Sequence, residues 1–196
     1  MLRVRSLRGV RLRDDHHHPE TTVNIFILDL NPVRAARYLC DKHVPKMAVE
    51  SAQMLASALR ANGAADMHMP LTKSGTPYRG GYHRHPCTVW AGACIENFDW
   101  LCLHGEAICQ EYIERFGKQH GCDIPIREMA DQCWRIKSQQ PKTPHAQAMP
   151  DEYRHESPVL AYRSFYRAEK QRFACWDRCR HGVPHWWIDN NNMEVA

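Results

Sequence analysis

The 196-residue sequence predicts a mainly α fold, a single compact helical domain with long loops and one short extended segment near its N-terminal end. Three observations carry that expectation. The pairs Asn31-Pro32, His85-Pro86 and Ser157-Pro158 each open an apolar pattern, and Pro is tolerated at the first helical position, where its missing N–H has no intrahelical partner. The apolar residues that follow recur three and four apart, the period of one helix face. Val23 to Leu28 is the one apolar run short enough to be a strand or a buried extended segment. A chain of this length is one domain and buries a core without disulfide or metal support.

Residues 1–22 differ from the rest. They are rich in Arg, carry three consecutive His (His16 to His18) and lack the apolar stretch of a secretory signal. They are expected to be a disordered extension or the product of a misassigned start, with the folded domain spanning 23–196. Val23 read as an initiating Met would open the chain Met-Asn-Ile-Phe, which N-terminal sequencing of the native protein tests.

A helix follows Asn31-Pro32, with Val33, Ala36, Tyr38 and Leu39 in its pattern. Pro45 interrupts this pattern and should kink the helix or split it. A second helix is expected from about Pro45 to Ala61, with Met47, Ala48, Met54, Leu55 and Ala58 inward and Asn62-Gly63 as its stop. Ala64 to His85 reads as a long loop carrying Lys73, Arg79, Arg84, Tyr78 and Tyr82. The longest helix is expected from Pro86 to Phe116, weakened at Gly105 and stopped at Gly117. A short helix follows around Ile126 to Ile136, then a loop from Gln139 to Pro150. A last helix covers Val159 to about Cys175, and Pro184-His185-Trp186-Trp187 forms an apolar anchor.

No apolar run approaches the ~18 residues of a membrane span. The net charge of +4 is mild, and part of it lies in 1–22, so global charge does not force a nucleic-acid partner. Nine cysteines without a signal segment read as reduced thiols. Cys87, Cys94, Cys102 and Cys109 recur at helical intervals and are expected in the core. Cys175, Cys179, His181 and His185 are the better metal candidate, yet their spacing is too compressed for the usual zinc finger. No metal or cofactor is expected.

The chemistry concentrates in Asp41, Lys42, His43, Lys46 and Glu50. On a helix His43, Lys46 and Glu50 share a face, joining an imidazole, an amine and a carboxylate as acid–base or amine chemistry requires. The same spacing also suits a solvated charged face with an ordinary Lys46–Glu50 pair. The run from Tyr78 to Pro86 sets arginines beside aromatic rings, a pattern that holds phosphates and stacks on bases; it also suits a polar loop anchored by its rings. Walker, GxGxxG, HExxH and GxSxG motifs are absent.

Val23-Asn24-Ile25, Lys42-His43-Val44-Pro45-Lys46, Gly81-Tyr82-x-x-His85-Pro86 and Glu111-Tyr112-x-x-Arg115-Phe116-Gly117 resemble, in order and spacing, the pyrimidine-dimer DNA glycosylases of the endonuclease V type, over about Val23 to Lys118. The chain also resembles uncharacterised phage proteins with an Asn-Ile-Phe opening and a Cys-Asp-Lys-His-Val helix. The first resemblance implies a small all-α enzyme that displaces a nucleotide from duplex DNA. An amine attacks the sugar C1′, a Schiff base forms, and strand scission follows; a carboxylate assists and basic residues hold phosphates. Lys42, Pro45 and Lys46 match the family's Arg-Glu-Leu-Pro-Arg segment. His43 stands where the family has its carboxylate, and Thr21, where the family has an N-terminal Thr amine, is internal.

The resemblance therefore implies a DNA glycosylase-like enzyme acting on a damaged or modified base, with or without lyase activity. Lys46 is its candidate nucleophile or phosphate ligand. His43 and Glu50 are acid–base partners, with Asp41 as the other carboxylate. A water nucleophile activated by Asp41 or Glu50 is the monofunctional version. Lys42, Arg79, Arg84, His85, Arg115 and Lys118 are the expected DNA contacts. The protein is expected to be a monomer in the cytoplasm of a bacterial or phage-infected cell, with duplex DNA as partner. The alternative is a non-catalytic DNA- or protein-binding phage module.

Overall fold

The computed structural model of the chain describes residues 23–138 and 140–188. The expectations for 1–22 lie outside the described residues. The architecture is mainly α, with seven α-helices among the described residues: α1 Pro32–Tyr38, α2 His43–Ala61, α3 Pro86–Ala91, α4 Ile95–Phe116, α5 Asp123–Ala130, α6 Pro158–Lys170 and α7 His185–Ile188. Helix α4 is the central rod, and α1, α2 and α5 pack against it. No described helix is long and apolar enough to cross a membrane.

The three Pro-led starts are present. Asn31 caps α1 by accepting from the Val33 and Arg34 amides, and Ser157 caps α6 by accepting from Leu160. The segment from Val23 to Leu28 is buried but pairs with no strand among the described residues. Its amides bond elsewhere: Ile25 and Phe26 donate to Asn24 Oδ1 at 2.8 and 3.3 Å.

The α1–α2 break comes earlier than expected. The chain leaves the helix at Leu39 and re-enters it at His43, so Pro45 lies in the first turn of α2, where a missing N–H leaves no bond unmade. The expected 86–116 helix is two helices parted at Gly92 to Cys94. Side-chain amides take the carbonyls released there: Asn97 Nδ2 donates to Trp90 O at 2.9 Å and Asn62 Nδ2 to Gly92 O at 3.2 Å. Gly105 does not bend α4. It is a close-packing point, where a Cβ would lie 3.2 Å from Ile126 and 3.3 Å from Ser51. Gly117 ends α4 with a φ of 68°, as a left-handed cap should. The helix expected over 126–136 starts earlier, as α5, and is followed by a single tight turn at Cys133–Arg135. Helix α6 stops at Lys170, short of Cys175.

The core is continuous. Cys87, Cys102 and Cys109 lie in it as small apolar groups, and Cys94 is buried between α3 and α4 in the chain. Trp186 is fully buried, so the Pro184–Trp187 segment does anchor the C-terminal end.

Arg115 is a buried strut at 5% exposure, so it offers no face to DNA. All of its N–H donors are taken: Nη1 by Leu39 O (2.7 Å) and Asp41 Oδ1 (3.1 Å), Nη2 by Arg37 O (2.9 Å) and Glu111 Oε2 (2.8 Å), and Nε by Glu111 Oε2 (3.0 Å). Arg115→Met removes five hydrogen bonds and the charge that balances two buried carboxylates. It should cost about 3–5 kcal/mol in urea unfolding; an unchanged midpoint would refute the strut.

Two buried histidines make the core sensitive to acid. His104 donates through Nδ1 to Pro32 O at 2.9 Å, and His145 lies between the Trp90 and Trp100 rings, 4.6 and 4.7 Å away. Burial pushes their pKa values from 6.5 down to about 4 and about 3. The unfolded chain therefore takes up protons first as pH falls below 6.5. Stability should drop by up to about 1.4 kcal/mol per pH unit per histidine in that window. Urea midpoints at pH 7 and pH 5 check this, and equal midpoints would contradict it.

Candidate active site

The first turns of α2 project Lys42, His43 and Lys46 toward Asn24 and Phe26 on one side and Phe165, Lys170 and Phe173 on the other. Together they line a cavity of about 270 Å³. That is slightly under the ~300 Å³ at which ordinary small-molecule pockets begin, which leaves room for one small group. Its walls are cationic and aromatic. Lys42 Nζ stands 4.4 Å from the centre of the Phe173 ring, and Lys170 Nζ stands 5.2 Å from that of Phe165. The positive end of the α2 dipole adds to the field.

His43 forms the floor. Its ring stacks flat on Phe26, with centroids 4.9 Å apart and planes 13° from parallel. Its Nδ1 lies 2.6 Å from the Tyr166 hydroxyl, which also accepts the Cys40 amide at 3.0 Å. Burial, then the charges of Lys46, Lys170 and Lys42, push its pKa from 6.5 down to about 3. The imidazole is therefore neutral at pH 7 and holds no imidazolium proton to donate.

Phe26 reaches His43 through an unusual backbone. Its φ is 54°, a left-handed value that bulky residues rarely adopt, held by the Asn24 side chain accepting from the two amides after it.

Glu50 lies one turn beyond Lys46 and is nearly buried. Its Oε2 accepts the Asn24 amide at 2.9 Å, and its Oε1 is 3.4 Å from Lys46 Nζ. Burial raises the Glu50 pKa; the Asn24 N–H and Lys46 draw it back. A carboxylate so held accepts a proton more readily than one in water.

The expected residues divide. His43, Lys46, Glu50 and Lys42 come together. Asp41 does not join them, because it precedes α2 and faces away. Its oxygens go to Arg115 (3.1 Å) and to the Arg178 amide (3.0 Å). Arg79 and Arg84 are exposed on the 71–85 loop, and Lys118 is exposed beyond α4. His85 is half-buried, and its Nδ1 caps α3 by accepting the Cys87 amide at 3.3 Å. The aromatic wall from α6 and Phe173 was not anticipated, since rings at helical spacing read as core. Asn24 was missed too, although one Asn before an apolar run is a visible signal.

The four residues weighed as a zinc set do not converge. Cys179 Sγ faces Arg37 O and Cys175 Sγ faces Asp41, each about 4 Å away. The described metal-ligand types that do cluster are Glu111, Glu114 and His181, and their carboxylates are engaged by Arg115 at 2.8 Å and Arg180 at 3.0 Å.

The family model for pyrimidine dimer DNA glycosylase matches residues 23–123. No curated protein and no solved structure matches the chain. The matched region includes α1 to α4 and supplies Asn24, Phe26, Lys42, His43, Lys46 and Glu50; Phe165, Lys170 and Phe173 come from beyond it. With more than half of its length matched, the chain belongs to the pyrimidine dimer DNA glycosylase family.

Proposed function

We propose that this protein is a DNA glycosylase that draws a damaged or modified nucleotide out of duplex DNA into the cavity at the start of α2. The observation that carries the reading is the Lys46–Glu50 pair beside a cavity walled by lysines and phenylalanines. Rings suit a base freed from its stack, lysines suit the flanking phosphates, and the lysines do not suit an apolar metabolite.

Glu50 takes the ammonium proton of Lys46. The freed amine attacks the sugar C1′, the C1′–N bond breaks, and the base leaves with a proton returned through Glu50. The sugar ring opens to a Schiff base on Lys46; Glu50, ionised again, takes the C2′ proton, a C2′–C3′ double bond forms and the 3′ phosphate leaves as the anion. Neutral His43 orients the Phe26 ring against the base. The Asn24 nitrogen lies on Glu50 as well, but within this chain it is an amide and not nucleophilic.

One observation favours a second reading. His43 stands where the family's segment has a carboxylate, and a neutral imidazole cannot replace that charge. On this reading the protein binds DNA without turnover.

Glu50→Gln separates the two. It keeps an oxygen for the Asn24 amide, so the fold survives, and it loses the proton acceptor. Base release should fall about 10²- to 10⁴-fold with DNA affinity nearly unchanged. Duplexes carrying ultraviolet lesions or modified pyrimidines, assayed with borohydride, check it. An adduct mapped to Lys46 and absent in Lys46→Arg supports the lysine nucleophile, release without an adduct supports water, and binding without either product supports the second reading. Under both readings Arg84→Ala should reduce the slope of log affinity against log salt by about one.

A further inference from the structure

Two described residues other than glycine have positive φ, and both are aromatic: Phe26 in the cavity and Tyr82, at 56°, in the 71–85 loop. Backbone strain of this kind persists only where surrounding structure enforces it, and it gathers at functional positions. Tyr82 is enforced from both sides. Before it, Gly80 lies so close to α2 that a Cβ would stand 2.3 Å from Ser57 Oγ and 2.7 Å from Ser57 N. Ser57 Oγ then accepts from Gly81 N and donates to Gly81 O, both at 2.8 Å. After it, the His85 amide donates to Tyr82 O at 2.9 Å.

The clamp holds a half-exposed ring. Tyr82 is 48% exposed and its side chain makes no hydrogen bond or ring contact among the described residues. Arg79, His83 and Arg84, within three residues of it, are exposed as well. Its neighbour Gly81 borders Gln53, on the α2 stripe that carries Lys46 and Glu50. From Lys46 to Gln53 is seven residues, or about 10 Å along the helix, some three base steps.

We propose that Tyr82 is the wedge that enters the base stack in place of the displaced nucleotide. The inference rests on the glycosylase reading above. Extruding a base leaves a gap in the duplex, and an inserted ring recovers stacking that extrusion loses. A rigid backbone presents the ring at little further entropic cost, while the neighbouring arginines hold phosphates on either side.

The test compares binding to an intact duplex with binding to the same duplex carrying a tetrahydrofuran abasic analogue, where the gap already exists. A neighbouring 2-aminopurine reports stacking. The wild-type chain should prefer the abasic duplex by about tenfold, the worth of one base–aromatic stack, and quench the 2-aminopurine. Tyr82→Gly removes the ring and relieves the backbone, so it should melt no lower than wild type yet lose preference and quenching. Tyr82→Phe should restore both. Preference and quenching retained in Tyr82→Gly overturn the wedge alone. A wild-type chain that binds neither duplex overturns the wedge and the glycosylase reading together.

Discussion

One guanidinium fixes the corner on which the cavity is built. Arg115 ties the last carbonyls around α1, the Asp41 carboxylate just before α2 and Glu111 on its own helix into one buried node. It shares the task of fixing the start of α2 with the Tyr166 hydroxyl, which accepts the Cys40 amide, because the Lys42 side chain does not cap the first turn. The direction in which His43 and Lys46 project follows from that start. A residue that carries charge into the core is thus what makes the surface chemistry repeatable, even though it touches nothing outside the protein.

The second organising feature is the stripe along α2. His43, Lys46, Glu50, Gln53 and Ser57 follow one another at three- and four-residue steps. His43 and Lys46 line the cavity, Glu50 pairs with Lys46, Gln53 lies beside Gly81 and Ser57 bonds the loop that bears Tyr82. One helix therefore sets the distance between the groups assigned to chemistry and the loop assigned to the duplex. Loop motion is restrained by the Ser57–Gly81 bonds and by Arg60 donating to Tyr78 O at 2.9 Å.

Much of this was legible in the sequence because it is local. The Pro-led helix starts and the shared face of His43, Lys46 and Glu50 depend only on helical period. Asp41 was misplaced because the helix begins two residues later, so the period does not extend to it. The gap at Gly92 to Cys94 was hidden because Asn62 and Asn97, which lie outside it, donate to the Gly92 and Trp90 carbonyls. Arg115 showed its Glu111 partner four residues away, but Asp41 lies 74 residues distant, and no spacing rule reveals such a pair. The α6 wall was invisible for a similar reason: a ring facing a cavity and a ring facing the core have the same period.

The cavity has two origins within the chain. Asn24, Phe26, Lys42, His43 and Lys46 lie in the region that the family model matches, and the Phe165–Lys170–Phe173 wall lies outside it. The halves are therefore free to diverge at different rates. Substitutions in α6 and at Phe173 can reshape what fits against Phe26 while Lys46 and Glu50 stay as they are. On the proposed glycosylase reading, relatives sharing α2 but differing in this wall would discriminate among lesions without inventing a new way to cut the bond, much as one engine accepts interchangeable tools.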